Sequence, residues 1–157
     1  MRKAYQIFAY LIAAEVVIQA AAIAYALAGL GKWVEDDGGV LTKAKLDDEN
    51  ALTFQGVGGF AVHGMNGMMI IPLITIIFLI ISFFSKVPGA PKRAGIIFVL
   101  VAVQIALGLG LHGVVVLAPL HALNGFILFS LAAMTGAQVG RTAPVSTSPA
   151  PEPVTTA

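Results

Sequence analysis

Cysteine and charge are the two things this chain has little of. None of its 157 residues is a cysteine, and only 11% are Asp, Glu, Lys or Arg. The absence of thiols excludes disulfides, cysteine nucleophiles, and zinc or iron–sulfur sites built from thiolates. Water-soluble domains carry roughly 25% charged residues, so the shortage of charge excludes an ordinary soluble core. A formal net charge of +1 provides no basic surface for nucleic acid.

Long apolar segments take the place of the missing charge, and apolar residues make up 58% of the chain. A helix needs about 20 mostly apolar residues to span a bilayer. Four segments meet this requirement, at residues 4–30, 60–84, 94–115 and 120–139. Lone strands cannot satisfy their backbone polar groups in lipid, so the segments must be helices. We therefore predict an all-α integral membrane protein, an up-down four-helix bundle in residues 1–140 surrounded by the lipid bilayer.

Charge is distributed unequally between the segments that flank these helices. The loop of residues 31–55 contains three lysines and six carboxylates, a net charge of −3. Six cations lie in the other flanking segments: Arg2, Lys3, Lys86, Lys92, Arg93 and Arg141. Because cytoplasmic segments are enriched in Lys and Arg, we predict a multi-pass protein of the cell membrane with both termini cytoplasmic and loop 31–55 external. The segment 141–157 is rich in Pro, Ser, Thr and Ala, a composition typical of a disordered tail.

One short motif, H-x-x-N-G, occurs twice. It is HGMNG at residues 63–67 and HALNG at residues 121–125, an offset of 58 positions. The first and third predicted helices also align loosely, residues 10–15 against 99–104, at an offset of 89. The chain is therefore predicted to be two tandem helical hairpins. Because alternate helices of an up-down bundle lie diagonally across its core, His63 and His121 are predicted to face each other near the outer membrane surface, with Asn66 and Asn124 one turn deeper.

Two facing imidazoles predict the axial ligands of a haem b iron. Asn66 and Asn124 are expected to hydrogen-bond the ligands or the ring substituents. Three glycines of the motif are expected to give the macrocycle room: Gly64, Gly67 and Gly125. This interpretation predicts a b-type cytochrome-like module for electron transfer, or an accessory haem protein, with a quinone or a respiratory membrane complex as partner.

Two other interpretations of the motif remain open. His and Asn also hydrogen-bond across membrane helices without any cofactor, as in a structural or accessory subunit of a larger membrane complex. The same residues can alternatively bind another ligand, such as a quinone or a metal ion. No nucleophile–base arrangement, P-loop or Rossmann motif occurs, so no catalytic residue is predicted and the chain is not expected to be an enzyme on its own.

Two further polar positions are candidates for function. His112, near the end of the third predicted helix, can replace one ligand, contact a propionate, exchange protons at the surface, or simply lie at the interface. Glu15 is the only carboxylate within a predicted span, and such groups are costly and often functional. Its predicted partner is Gln104 or Gln19, either as an interhelical contact or as part of a proton path.

The chain resembles a family of small four-helix membrane proteins of actinobacteria, classed as a domain of unknown function. The resemblance covers about residues 1–140 and rests on Arg2-Lys3, Trp33, the DDGG sequence at residues 36–39, and the two H-x-x-N-G motifs. More distantly, the chain is similar to one four-helix half of haem A synthase, in which histidines on the second and fourth helices bind haem. His63 and His121 occupy the matching helices. The glutamate motif which that family uses beside its ligand is not matched here, so the resemblance implies haem binding and not haem hydroxylation.

Overall fold

Every regular element in the described part of the chain is a helix. The computed structural model describes residues 1–48, 51–111 and 113–141. Four helices are long and apolar enough to cross a membrane: α1 (Arg2–Glu35), α3 (Gly58–Phe84), α4 (Ala90–Gly110) and α5 (Leu117–Arg141). A short helix, α2 (Lys43–Asp47), lies in the connection between α1 and α3. The predicted all-helical fold with four apolar helices is confirmed.

The helices form a closed ring of neighbours. Extensive contacts join α1 to α3, α3 to α4, α4 to α5, and α5 back to α1, so α3 and α5 lie diagonally across the core. The beginning of α1 packs against the end of α5, where the Gln6 side chain donates a hydrogen bond to the Gly136 carbonyl at 3.0 Å. At the same end of the bundle, the Tyr5 ring stacks on Phe78 with ring centroids 4.6 Å apart.

The outside of the bundle is as apolar as its inside. Phe83, Phe126 and Met69 are 66%, 71% and 64% exposed. The buried positions instead include many small or hydroxyl-bearing residues, which let helix backbones approach closely: Ala9, Ala13, Ala94, Ala132, Thr75, Ser82 and Thr135. An apolar exterior over a core of small residues suits a lipid environment, where burying large apolar side chains between helices gains little.

Helix α3 changes its winding at the first H-x-x-N-G motif. Residues Asn66–Ile70 form a π-helical turn, and the α-helical winding resumes at Ile71. Pro72 follows directly and has no amide hydrogen for the preceding turn. π-helical turns are rare, and those found inside α-helices frequently lie at functional sites.

The boundaries of all four long helices differ from the predicted ones. The first helix ends at Glu35 and not at residue 30, so the connection is shorter than the predicted loop 31–55. Its extra turn is stabilised by a 2.8 Å ion pair between Lys32 and Asp36 and by Trp33, which stacks on Phe54 with centroids 5.9 Å apart. The predicted segments 60–84 and 120–139 begin earlier, at residues 58 and 117.

The third helix occupies Ala90–Gly110 where the sequence predicted 94–115. Its early start follows the left-handed turn at Gly89, which has a φ of 71°. Its early end coincides with Gly108, Gly110 and Gly113, because glycine is a poor helix former. The predicted disordered tail, residues 141–157, lies outside the described residues beyond position 141.

Candidate functional site

The structure brings the two motif histidines together in the core. The rings of His63 on α3 and His121 on α5 have centroids 6.2 Å apart and planes inclined by 55°. Both side chains are partly buried. Because α3 and α5 are diagonal partners, the two rings meet across the bundle and not along one helix–helix seam.

Each imidazole is held by a backbone carbonyl of the neighbouring long helix. Nδ1 of His63 lies 3.1 Å from the Gln19 carbonyl oxygen on α1, and Nδ1 of His121 lies 3.1 Å from the Gln104 carbonyl oxygen on α4. A carbonyl oxygen can only accept, so each Nδ1 carries the hydrogen, and in the neutral ring Nε2 keeps a lone pair. Histidines that bind metals characteristically donate their other N–H to such a carbonyl, which sets the tautomer and the ring orientation.

The spacing of the rings matches that of two ligands on one metal ion. An imidazole nitrogen binds a transition metal at about 2.0–2.1 Å, and the ring centre lies about 1.1 Å behind it, so two rings that held one metal ion would have centres up to about 6 Å apart. The observed 6.2 Å agrees with this value. In the described residues there is no group of three or more His, Asp or Glu side chains that could hold a metal ion. A zinc site built only from protein side chains therefore has no support there, whereas a haem would require only the two histidines from the protein.

The asparagines of the two motifs lie one turn along from the histidines, and both are buried. The Asn66 side-chain nitrogen donates to the Glu15 carboxylate at 2.7 Å. The Asn124 side-chain nitrogen donates to the Gln104 side-chain oxygen at 2.6 Å and to the Leu100 carbonyl at 2.9 Å. Both asparagine side chains therefore hydrogen-bond residues of the neighbouring helix, which positions the motif helices relative to α1 and α4.

Two corrections to the sequence-based picture follow from these contacts. Glu15 was predicted to pair with Gln104 or Gln19, but its hydrogen-bond partner is Asn66, because the motif face of α3 packs against α1. The internal repeat aligns Gln19, not Glu15, with Gln104, since each of these glutamines offers its carbonyl to one histidine. The offset between α1 and α4 is therefore 85 positions, one helical turn less than the predicted 89.

The motif glycines have separate roles. A Cβ on Gly67 would lie 3.3 Å from the Gln19 side-chain nitrogen, and a Cβ on Gly125 would lie 3.4 Å from that of Gln104. These two glycines therefore make room for glutamine amides. Gly64 is exposed and has no such neighbour within 4 Å, so it lies away from the two rings.

Two residues close to the site carry no sequence motif of their own. A Cβ on Gly108 of α4 would lie 3.2 Å from Cε1 of His121, so the absence of a side chain there gives this ring its space. The side-chain nitrogen of Gln19 is buried and has no hydrogen-bond partner. Neither the space at Gly108 nor the unpartnered nitrogen of Gln19 is visible in the sequence, because both depend on which turn of α1 or α4 lies beside a histidine. His112 lies outside the described residues.

Comparison with protein-family models, with curated proteins and with solved structures gives no match.

Proposed function

We propose that this chain is a small integral membrane protein that binds a b-type haem between His63 and His121 and takes part in electron transfer, as a cytochrome-like module or an accessory haem protein. The observation that carries the proposal is the pair of imidazoles with centroids 6.2 Å apart, each with Nδ1 held by a backbone carbonyl. His63 and His121 would hold the haem iron through Nε2, because Nδ1 of each ring is engaged by a carbonyl. A quinone or a respiratory membrane complex is the proposed redox partner.

The residues around the rings have defined parts in this proposal. A bound haem supplies reversible one-electron chemistry at iron. The carbonyls of Gln19 and Gln104 orient the two ligands, and their N–H···O hydrogen bonds raise the basicity of the coordinating nitrogens. Asn66 and Asn124 hold α3 and α5 in register with α1 and α4, so that the distance between the rings is maintained.

The proposal includes an orientation in the cell membrane. The four helices cross the bilayer up and down, with both termini and the α3–α4 turn in the cytoplasm and the α1–α3 connection outside. The positive-inside distribution of Lys and Arg supports this arrangement. The histidine pair then lies toward the non-cytoplasmic surface, at the ends of the long helices opposite the basic residues.

A second candidate function is a cofactor-free structural or accessory subunit of a membrane complex. It is favoured by the fact that the polar side chains of the motifs already have protein partners. His63, His121, Asn66 and Asn124 all form hydrogen bonds within the bundle. Such contacts between membrane helices contribute about 0.6–2 kcal/mol each and require no ligand.

Visible absorption of the purified protein separates the two candidates. Protein produced with a sufficient haem supply should show a Soret band and a reduced-minus-oxidised spectrum of two-imidazole iron. His63→Ala and His121→Ala should each lose this spectrum, and Phe126→Ala, at a 71% exposed position of α5, is the control that should keep it. Added imidazole should restore pigment to His121→Ala if the lost ligand is the only defect. A folded, colourless wild-type protein would leave the cofactor-free subunit as the function.

A further inference from the structure

Two polar side chains of α1 lie one helical turn apart and have hydrogen-bonding capacity that the protein does not use. The side-chain nitrogen of Gln19 has no hydrogen-bond partner, in a residue that is only 9% exposed. Glu15 accepts a hydrogen bond from Asn66 at 2.7 Å, and no other hydrogen bond to its carboxylate occurs among the described residues. Residues four apart on a helix have Cβ atoms about 5–6 Å apart. An unused donor and an unused acceptor therefore lie side by side.

A glycine of α3 leaves space opposite these two side chains. A Cβ on Gly67 would lie 3.3 Å from the Gln19 side-chain nitrogen, and the glycine itself is partly exposed. Asn66, the residue before it, holds the Glu15 carboxylate. We call Glu15, Gln19, Asn66 and Gly67 together the α1–α3 polar cluster.

One side of the α1–α3 polar cluster faces outward from the bundle. Glu15 is partly exposed, and its neighbours on the helix surface, Leu11 and Ile18, are 39% and 47% exposed. Glu15 follows Ala4, where the apolar segment begins, by 11 positions, or about 16 Å along a helix. This depth is near the middle of a hydrocarbon core about 30 Å thick. A ligand that reaches Glu15 from the outward side must therefore be soluble in lipid.

The second half of the repeat lacks this cluster. Leu100 stands at the position equivalent to Glu15, and the Gln104 side chain is already bonded to Asn124 at 2.6 Å. The π-helical turn Asn66–Ile70 belongs to the first half alone, since the equivalent residues of α5 are α-helical. Such turns inside α-helices frequently lie at functional sites. The differences between two otherwise equivalent halves therefore concentrate around the unpartnered donor.

A hydroxyl group has the chemistry that the cluster requires. It can donate its hydrogen to the Glu15 carboxylate, and its oxygen can accept from the Gln19 side-chain nitrogen. A metal cation would leave that N–H unsatisfied, because a cation accepts no hydrogen bond. The same turns of α3 expose flexible apolar side chains that can adapt to a flat ring: Met65, Met68 and Met69 are 65%, 49% and 64% exposed. A hydroxyl on a lipid-soluble ring is the defining group of a quinol.

The cluster is directly connected to the histidine pair. The Gln19 backbone carbonyl accepts from Nδ1 of His63 at 3.1 Å, and Asn66 lies one turn from His63 on α3. A quinol at the Gln19 side chain would therefore bind to the same residue that orients the proposed haem ligand.

We propose that the α1–α3 polar cluster binds a hydroxyl of a lipid-soluble quinol, which donates to Glu15 and accepts from the side-chain nitrogen of Gln19. The choice of a quinol rests on the proposed function, because a haem between the two histidines would be its electron acceptor. Binding itself requires only Glu15, Gln19 and the space at Gly67, so it is measurable whether or not haem is present.

Calorimetric titration of the full-length protein in an uncharged detergent tests the proposal. The two probes are decylubiquinol, kept reduced under anaerobic conditions, and its dimethyl ether, which has the same ring and tail but no hydroxyl. A site that hydrogen-bonds a hydroxyl rejects the analogue that lacks it, so the quinol should bind about tenfold more tightly than the ether. Equal binding of the two probes would overturn the proposal and leave the Gln19 nitrogen to a water molecule.

Gln19→Leu removes the unused donor but keeps the backbone carbonyl that holds His63. Its thermal stability should equal or exceed that of wild type, because a buried unsatisfied group is lost, while its affinity for decylubiquinol should fall about tenfold. Gln6→Leu is the matched control on the same helix. It loses the hydrogen bond to the Gly136 carbonyl and should bind decylubiquinol as wild type does. Unchanged affinity in a folded Gln19→Leu variant would contradict the assigned donor.

A second pair of variants tests the space in the cluster. Gly67→Ala places a methyl group 3.3 Å from the Gln19 nitrogen and should weaken decylubiquinol binding, whereas Gly64→Ala, with no atom within 4 Å, should not. The Soret band of the same samples reports on haem separately. A colourless protein that binds decylubiquinol through Gln19 would reject the haem and support this site. A pigmented protein that binds the quinol and the ether equally would support the haem and reject this site.

Discussion

Asn66 donates a 2.7 Å hydrogen bond to the Glu15 carboxylate, and this pair has no counterpart in the second half of the repeat. Leu100 stands at the position equivalent to Glu15, and there Asn124 bonds a backbone carbonyl and the Gln104 side chain instead. The two halves thus satisfy the same asparagine in different ways. Glu15 is the only carboxylate that precedes Glu35 in the chain, and it is therefore a feature of the first half of the repeat alone.

Loss of the Glu15 carboxylate should destabilise the bundle. Glu15→Leu leaves the buried Asn66 amide without its acceptor, and we expect a loss of about 1–2 kcal/mol in the free energy of unfolding. Glu15→Gln keeps an acceptor oxygen and should cost less. Unfolding in mixed detergent–SDS micelles measures the difference.

A double-mutant cycle isolates this interaction. The Glu15→Leu/Asn66→Leu variant should be more stable than the sum of the two single losses, because neither buried polar group remains unpaired. Glu35→Leu, at an exposed position on the same helix, is the control for charge removal and should change stability by less than about 0.5 kcal/mol. Strict additivity of the two core substitutions would contradict the assigned hydrogen bond.

A methyl group beside His121 should disturb the proposed haem site. A Cβ on Gly108 lies 3.2 Å from Cε1 of this ring, so Gly108→Ala forces the imidazole to shift by a few tenths of an ångström. We expect reduced haem occupancy or a changed Soret position, with little change in helix content. The absorption spectrum and the haem-to-protein ratio measure the effect.

Gly95→Ala is the control for the Gly108 substitution. Gly95 lies on the same helix, and a Cβ there meets no atom within 4 Å. This variant should bind as much pigment as wild type. If both alanine variants bind haem normally, the space beside the ring is not important for the ligand geometry.

The contact between α1 and α3 should depend on one glycine. A Cβ on Gly59 would collide with the carbonyl oxygen of Ala22, and backbone atoms cannot move aside without separating the helices. Gly59→Ala should therefore lower the unfolding temperature. Gly64→Ala, on the same helix but with no nearby atom, should leave it unchanged or raise it, because alanine is the better helix former. Thermal unfolding followed by circular dichroism compares the two variants, and equal effects would argue against a close approach of α1 and α3.

The absence of cysteine makes the membrane orientation directly testable. In a chain without thiols, any labelling reports only the residue introduced. We expect Asp37→Cys to react with a membrane-impermeant maleimide in intact cells, and Lys92→Cys to react only after permeabilisation. Both positions are exposed, so a difference in labelling reflects the side of the membrane. The opposite pattern would invert the proposed topology.

The apolar helices could be predicted because length and composition alone define them. Segments of about 20 apolar residues without cysteine or a charged face have few alternatives to a helical bundle. Helix ends were less predictable, because they depend on contacts made beyond the apolar part. The last turn of α1 is stabilised by the stacking of Trp33 on Phe54, which only the folded connection provides.

The repeated H-x-x-N-G motif by itself determined that His63 and His121 are equivalent residues and that they occupy equivalent turns of their helices. Only the tertiary structure decided which residues of α1 and α4 face them. The sequence similarity between α1 and α4 is weak. A shift of the alignment by one helical turn keeps nearly the same helix face, so alignment offsets of 85 and 89 positions give almost the same sequence pattern. Packing resolves them, because the carbonyl oxygens that lie 3.1 Å from Nδ1 of His63 and His121 are those of Gln19 and Gln104.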